Sequence, residues 1–256
     1  MQTLRISTEA DVTVITLDRP ERRNAISPQM MEDLGVALDE AASSPVRAVI
    51  LTGEGRAFCA GMDLDLLQST ASASQEETLE AARKMARVFL GLYRFPKPVI
   101  AAVNGAAVAG GCGLATLCDF TLAVPGAKFG YTEVRIGFLP ALVSVFLTRQ
   151  ISEKHASDLL LTGRIIDAAE ALRIGLITEV VAADRLMTRA HELGRTLAAN
   201  SPESLMRTKR LMRSYAAAEI DREIELALRE NAAIRQTADF REGVASFLEK
   251  RPPKWV

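Results

Sequence analysis

Two adjacent glycines, Gly110 and Gly111, constrain this chain more than any other residues. They sit in Asn104-Gly-Ala-Ala-Val-Ala-Gly-Gly-Cys-Gly-Leu-Ala-Thr-Leu-Cys-Asp119. The apolar run Val99 to Val103 before them reads as a buried strand, and Leu114 to Leu117 after them as helix. Glycine at a strand-to-helix junction lets another group approach the backbone closely. The first N–H groups of a helix have no partner within it, so partial positive charge gathers there. Such a junction suits an anion or an oxygen on which negative charge develops. Taken alone, the same glycines are equally well explained by a tight turn.

A second turn makes the pattern more specific. Arg47-Ala-Val-Ile-Leu-Thr-Gly53 reads as another buried strand. Glu54-Gly-Arg-Ala-Phe-Cys-Ala-Gly-Met-Asp-Leu64 then reads as a small-residue turn leading into a short helical stretch. Two strand-end turns, each with a free backbone N–H, are the minimum for an oxyanion hole around one carbonyl oxygen.

Composition excludes several other readings. Hydrophobic residues make up 48% of the 256 positions and charged residues 25%, which is ordinary for a globular chain. A net charge of −1 argues against a dedicated nucleic-acid or membrane-surface binder. Cys59, Cys112 and Cys118 lack zinc-ligand spacing, and His155 and His191 lie in charged, helix-like stretches, so neither a metal nor a thiol nucleophile is expected. Unpaired thiols fit a reducing, cytoplasmic compartment. Met1-Gln-Thr-Leu-Arg-Ile leads straight into a strand, without the look of a signal or transit peptide. Asn104 and the glycines within Val99 to Leu117 argue against a membrane span there.

Along the chain, Val12 to Leu17 alternates as a strand does, and Pro28 opens a helix with Met31, Leu34, Ala37 and Leu38 on one face. Val46 to Thr52 is the next strand. Residues Gln68 to Glu77 read as a mobile loop before a helix that ends at Tyr93, and Asp119 to Val124 as a further strand. Strands alternating with helices imply a largely parallel sheet with right-handed crossovers. After Asp184 the pattern is helical: Leu186 to Leu197, Pro202 to Ala217, Glu219 to Asn231 and Asp239 to Lys250. Leu205, Met206, Leu211, Met212, Ile224, Leu226 and Leu228 are too apolar for a free tail and are expected at an interface between subunits. A cap folded on the chain's own core is the alternative.

Together these segments resemble the crotonase, or enoyl-CoA hydratase/isomerase, superfamily, from about residue 3 to the end. Ala57-Phe-Cys-Ala-Gly-Met-Asp-Leu64 is similar to the family's first oxyanion turn, and Lys97-Pro-Val-Ile-Ala-Ala-Val-Asn-Gly105 with Ala109-Gly-Gly-Cys112 to the second. Asp18-Arg-Pro-Glu-Arg-Arg-Asn-Ala-Ile26 resembles its coenzyme A turn, and Phe129-Gly-Tyr-Thr-Glu-Val-Arg-Ile-Gly137 its acidic catalytic segment. Leu161-Thr-Gly163, Ala168-Ala-Glu-Ala171 and Gly175 to Val181 follow in the family's order. The resemblance implies an α/β fold: a β-β-α spiral core over residues 1–198 and a C-terminal helical trimerisation region over 199–256. It implies an acyl-CoA thioester substrate, with coenzyme A as part of the substrate rather than a cofactor, and a homotrimer or a dimer of trimers.

The resemblance also assigns roles. Met62 and Gly110 map to the oxyanion donors, and Glu133 to the second of two hydratase glutamates. The first maps to Gly113, where the carboxylate is absent. One glutamate suffices to move a proton between C2 and C4, so double-bond isomerisation is expected. Arg23, Ala25, Ala60, Asp63, Leu64, Phe247 and Lys250 map to substrate-binding positions. Phe129, Val134, Ile136 and Phe138 surround Glu133 in sequence and would raise its pKa, whereas Arg135 would oppose this if it faced inward. Where relatives carry a glycine cluster, Ala141-Leu-Val-Ser144 is bulkier and should reshape the acyl pocket. The rivals are a hydratase or another lyase, with Glu133 acting alone or aided by a carboxylate between Asp65 and Glu80, and a non-catalytic acyl-CoA- or RNA-binding relative.

Overall fold

The computed structural model describes residues 1–63, 66 and 73–255. Ten strands form two sheets among these residues. The larger contains β1 (Leu4–Glu9), β2 (Val12–Leu17), β3 (Ala48–Gly53), β5 (Val99–Val103), β7 (Phe120–Ala123) and β10 (Glu179–Val180), hydrogen-bonded in that order. β1 and β2 are antiparallel, and every later pairing in this sheet is parallel. β3 and β5 are buried along their whole length. Apolar runs without alternation are what a parallel sheet covered on both faces requires.

The smaller sheet is built from β4 (Ala57–Cys59), β6 (Ala106–Val108), β8 (Lys128–Gly130) and β9 (Ile165–Asp167). Here the expected loops and turns are corrected, because three-residue strands follow β3, β5 and β7 almost at once. Each passage thus adds a strand to the large sheet, then one to the small sheet in the same order. The result is a β-β-α spiral rather than a flat doubly wound sheet.

The helices cover this spiral. Ser27 caps α1 (Pro28–Ser43) through Met30 N–H, and proline at the first position suits its missing donor. α2 (Gln75–Tyr93) opens with a full capping box between Ser74 and Glu77. Residues 75–77 are therefore helix, against the expected loop; residues 67–72 lie outside those described. α3 (Gly110–Leu117) follows β6, then come α4 (Ala141–Gln150), α5 (Glu153–Thr162), α6 (Ala168–Arg173) and α7 (Leu186–Ala198). His155 and His191 lie half-buried on α5 and α7. No helix among the described residues is long and apolar enough to cross a membrane.

The last three helices divide between the two expectations for them. In α9 (Ala217–Ile234), Ile220, Ile224, Ala227 and Leu228 are buried, and the helix packs on α2 and α4. Ile224 and Leu228 therefore belong to the chain's own core rather than to a subunit interface. α8 (Pro202–Ser214) buries nothing fully, and Leu211, Met212, Tyr215 and Leu226 remain exposed. α10 (Ala238–Leu248) packs on the segment that carries Glu133.

Asn24 fastens the N-terminal segment to the spiral. Its side chain is fully buried, accepts from Arg19 N–H at 2.9 Å and donates to the carbonyls of Glu54 and Ala57 at 2.9 and 2.8 Å. Its φ of 55° lies in the left-handed region that asparagine tolerates. Asn24→Ala strips three backbone groups of their partner, one of them buried and two half-buried, so unfolding in denaturant should show a loss of about 2–4 kcal/mol. A loss below about 0.5 kcal/mol would mean the latch carries no load.

Candidate active site

The first donor turn is held by the N-terminal segment. Ala60 N–H donates to the Arg23 carbonyl at 3.0 Å, Ile26 N–H to Gly61 at 2.7 Å and Asp63 N–H to Ile26 at 2.9 Å. The last two form a parallel bridge between Ile26 and Met62. In such a bridge the residues flanking Met62 make the bonds, so the N–H of Met62 itself points away from Ile26. Arg19 ties the turn down with one Nη 2.9 Å from Asp63 Oδ2 and 2.7 Å from the Ala25 carbonyl. Asp63 is buried and braces the turn, where the resemblance implied a substrate contact.

Gly110, which the resemblance maps to the second donor, opens α3, where its N–H has no intrahelical partner. Ala109 precedes it at φ 50° and ψ −126°, a backbone costing about 1–3 kcal/mol for a residue with a side chain. A Cβ on Gly111 would lie 2.2 Å from the Cys59 carbonyl oxygen, and one on Gly61 would lie 3.8 Å from Gly110 N. The turns carrying Met62 and Gly110 are thus pressed together because glycines line the seam.

Glu133 arrives through β8. Val108 pairs with Gly130, and Ala109 N–H donates to the Gly130 carbonyl at 2.7 Å, placing the next residues beside α3. Glu133 opens a 3-10 turn, Glu133–Ile136, rather than ending a strand, so alternation does not govern Arg135, which is exposed. Glu133 is buried, and its Oε2 has no hydrogen-bond partner. Burial pushes its pKa up to about 7, against a weaker opposing hydrogen bond from its own backbone. Its charge reaches the first turn of α3, where it adds to the burial that holds the Cys112 thiol at about 12. Burial likewise pushes the Cys59 thiol up to about 12 and raises that of Cys118 further.

Gly113 lies buried in α3, and its missing side chain has been replaced from the opposite helix. A Cβ at 113 would sit 2.3 Å from Val143 Cγ1 on α4 and 3.4 Å from Phe89 on α2. The bulkier segment 141–144 therefore fills the place from which a side chain at 113 would grow.

The other assigned positions are distributed. Ala25 is buried and Ala60 half-buried beside the first turn, Arg23 is exposed at φ 51°, and Leu64 lies outside the described residues. Phe247 and Lys250 are exposed at the far end of α10. A cavity of about 440 Å³ lies apart from the site, lined by Tyr93, Phe146, Arg149, Lys209, Met212 and Arg213 among others. No cluster of metal-ligating side chains exists among the described residues. Arg19 and Val143 are the site residues that sequence reasoning missed, the first hidden among three arginines and the second visible only as unexpected bulk.

Because folding raises the pKa of Glu133 above its ordinary 4.5, the folded chain holds an extra proton between about pH 4.5 and 7. Stability is lost as pH rises through that window, by up to about 3 kcal/mol. Glu133→Gln should therefore melt higher than the parent at pH 8 and equally at pH 4. An equal melting temperature at pH 8 would show that the carboxylate is hydrated.

Comparison with known proteins agrees with this geometry. The family model for enoyl-CoA hydratase/isomerase matches residues 7–256. A Thermus thermophilus protein carrying the enoyl-CoA hydratase name is 45% identical, covering 95% of this chain and 97% of its own. The 2,3-dehydroadipyl-CoA hydratase of Escherichia coli is 32% identical over 99% of this chain and 98% of its own. The crystal structure of an enoyl-CoA hydratase from Mycobacterium avium superposes with a TM-score of 0.89 at 34% identity, covering both chains fully. That of an enoyl-CoA hydratase/isomerase from Pseudoalteromonas atlantica does so with 0.89 at 30% identity, over 99% of this chain and all of its own. With the family model spanning residues 7–256 and relatives matching almost the whole chain, this chain belongs to the enoyl-CoA hydratase/isomerase family.

Proposed function

We propose that the protein shifts a double bond in an enoyl-CoA thioester, with Glu133 as the single proton carrier. The observation that carries this reading is the exchange of a second carboxylate for Gly113 with Val143 packed over it. Met62 and Gly110 N–H groups bind the thioester oxygen, and the donors gain strength as that oxygen becomes an enolate. Glu133 removes a proton from C2 or C4 and returns it to the other carbon, so no net proton is consumed. Hydration needs a water held and split between two groups, and one apolar-walled carboxylate is poorly suited to that. The names of the relatives favour the second reading, 2-enoyl-CoA hydration. No cofactor is needed in either case, because coenzyme A belongs to the substrate. Exposed Leu211, Met212, Tyr215 and Leu226 support a homotrimer or dimer of trimers.

Incubation with 3-enoyl- and 2-enoyl-CoA thioesters separates the two readings. Isomerisation of the former, with solvent deuterium entering the product slowly or not at all, is expected. Fast hydration of the latter with no isomerisation would reverse the assignment. Glu133→Gln should lower turnover about 10²–10⁴-fold, the range for losing a general base. The parent kcat/KM should rise with pH through about 7, where the buried carboxylate ionises.

Val143 decides how a second acid could be restored. Gly113→Glu alone should leave hydration of 2-enoyl-CoA unchanged or unfold the chain, since Val143 occupies the space. Gly113→Glu with Val143→Ala should fold and raise hydration at least tenfold. Equal hydration rates for the single and double variants would show that Val143 is no obstacle.

A further inference from the structure

The turn that carries Glu133 is held from outside the spiral. A Cβ on Gly243, in the middle of α10, would lie 2.2 Å from both the carbonyl carbon and oxygen of Ile136. Conversely, a Cβ on Gly137, at φ 64°, would lie 2.3 Å from the Asp239 carbonyl oxygen at the start of α10. The two glycines seat each backbone in the other, closer than any side chain allows.

Around this seat is a small core separate from the main one: Phe138, Phe240 and Val244, flanked by Ile136, Ile234 and Leu248. The Phe138 and Phe240 rings pack at 5.5 Å and 50°. Arg235 closes the cluster, its guanidinium 4.8 Å over Phe138 and 5.6 Å over Phe240. It is buried, with Nε 3.3 Å from Asn231 Oδ1 and one Nη unpartnered. A cation held there without a carboxylate is anchored by the rings alone on that face. The Glu133 carbonyl is in turn fixed by Phe138 N–H at 3.1 Å, so the aromatic pair and the catalytic turn share one backbone.

We propose that α10 is the positioning element of the Glu133 carboxylate, with Gly243 and Phe240 as positioning residues that act through the turn at Glu133–Ile136. This rests on Glu133 being the proton carrier. The physical reason is leverage: a carboxylate on a single 3-10 turn has few bonds of its own to fix it. A shift of about 1 Å at a reacting group can cost about a hundredfold in rate. The helix supplies the missing rigidity by backbone contact, which leaves no slack for rotamers to absorb.

The test uses the full chain in its native assembly. Gly243→Ala, Phe240→Leu, Glu133→Gln and a core control remote from the turn, Leu34→Ala, are compared per mole of folded protein. The probe is whichever of the 3-enoyl- and 2-enoyl-CoA thioesters the parent turns over. Phe240→Leu keeps the helix and loses only the ring contact, so the test survives if Gly243→Ala does not fold. The expected result is a kcat about ten- to a hundredfold lower in Phe240→Leu with KM within about twofold. The inflection near pH 7 should move downward as water reaches the loosened carboxylate. Leu34→Ala should lower the melting temperature while leaving kcat and the inflection in place. If Phe240→Leu loses melting temperature alone, as the control does, α10 is merely structural and the proposal is overturned. If Glu133→Gln keeps parental turnover, or the parent turns over neither thioester, the parent reading falls and takes this proposal with it.

Discussion

The carbonyl oxygen of Cys59 lies 2.2 Å from where a Cβ on Gly111 would be, so β4 and the first turn of α3 meet backbone to backbone. Any side chain at 111 would push them apart. The approach brings Gly61 and Met62 beside Gly110, and through β6 and β8 it fixes where the next turn of the spiral begins. The fold thus brings the two strand-end turns together backbone to backbone. Under the proposed function, N–H groups preorganised in this way need no rearrangement when charge develops, which is where their catalytic value would lie.

How much of this was legible in sequence depends on the size of each element. Val99 to Val103 and the helices after Asp184 announce themselves by long apolar runs or helical spacing. The small sheet does not: Ala57–Cys59, Ala106–Val108 and Lys128–Gly130 are three residues each, too short for any period to emerge. Glu133 was legible as a candidate through the resemblance of Phe129 to Gly137 to the family's acidic segment, but its 3-10 turn was not, and neither was the outward face of Arg135. The partition of the C-terminal apolar residues also escaped sequence reasoning, since Ile224 and Leu226 look alike until α9 is docked. Burial is a tertiary property, and spacing reports only which residues share a face.

Gly113 and Val143 show a compensation that a single position hides. Removing a side chain from the interior of α3 would leave a void costing several kcal/mol in a close-packed core. Val143 and Phe89 pack where a side chain at 113 would stand, so the interior stays filled there. Glu133, itself buried, has one carboxylate oxygen without a hydrogen-bond partner.

The cysteines add a consequence of a different kind. Cys59 and Cys112 lie on the two sides of the donor seam, fully buried, with thiols held near 12. Thiolate is the reactive form, so in the closed protein neither sulfur offers a target to an alkylating reagent. Each becomes reactive only when β4 separates from α3, and labelling then proceeds at a rate set by that separation. The chain therefore carries a built-in clock for breathing of the seam between β4 and α3, readable by thiol labelling without substrate.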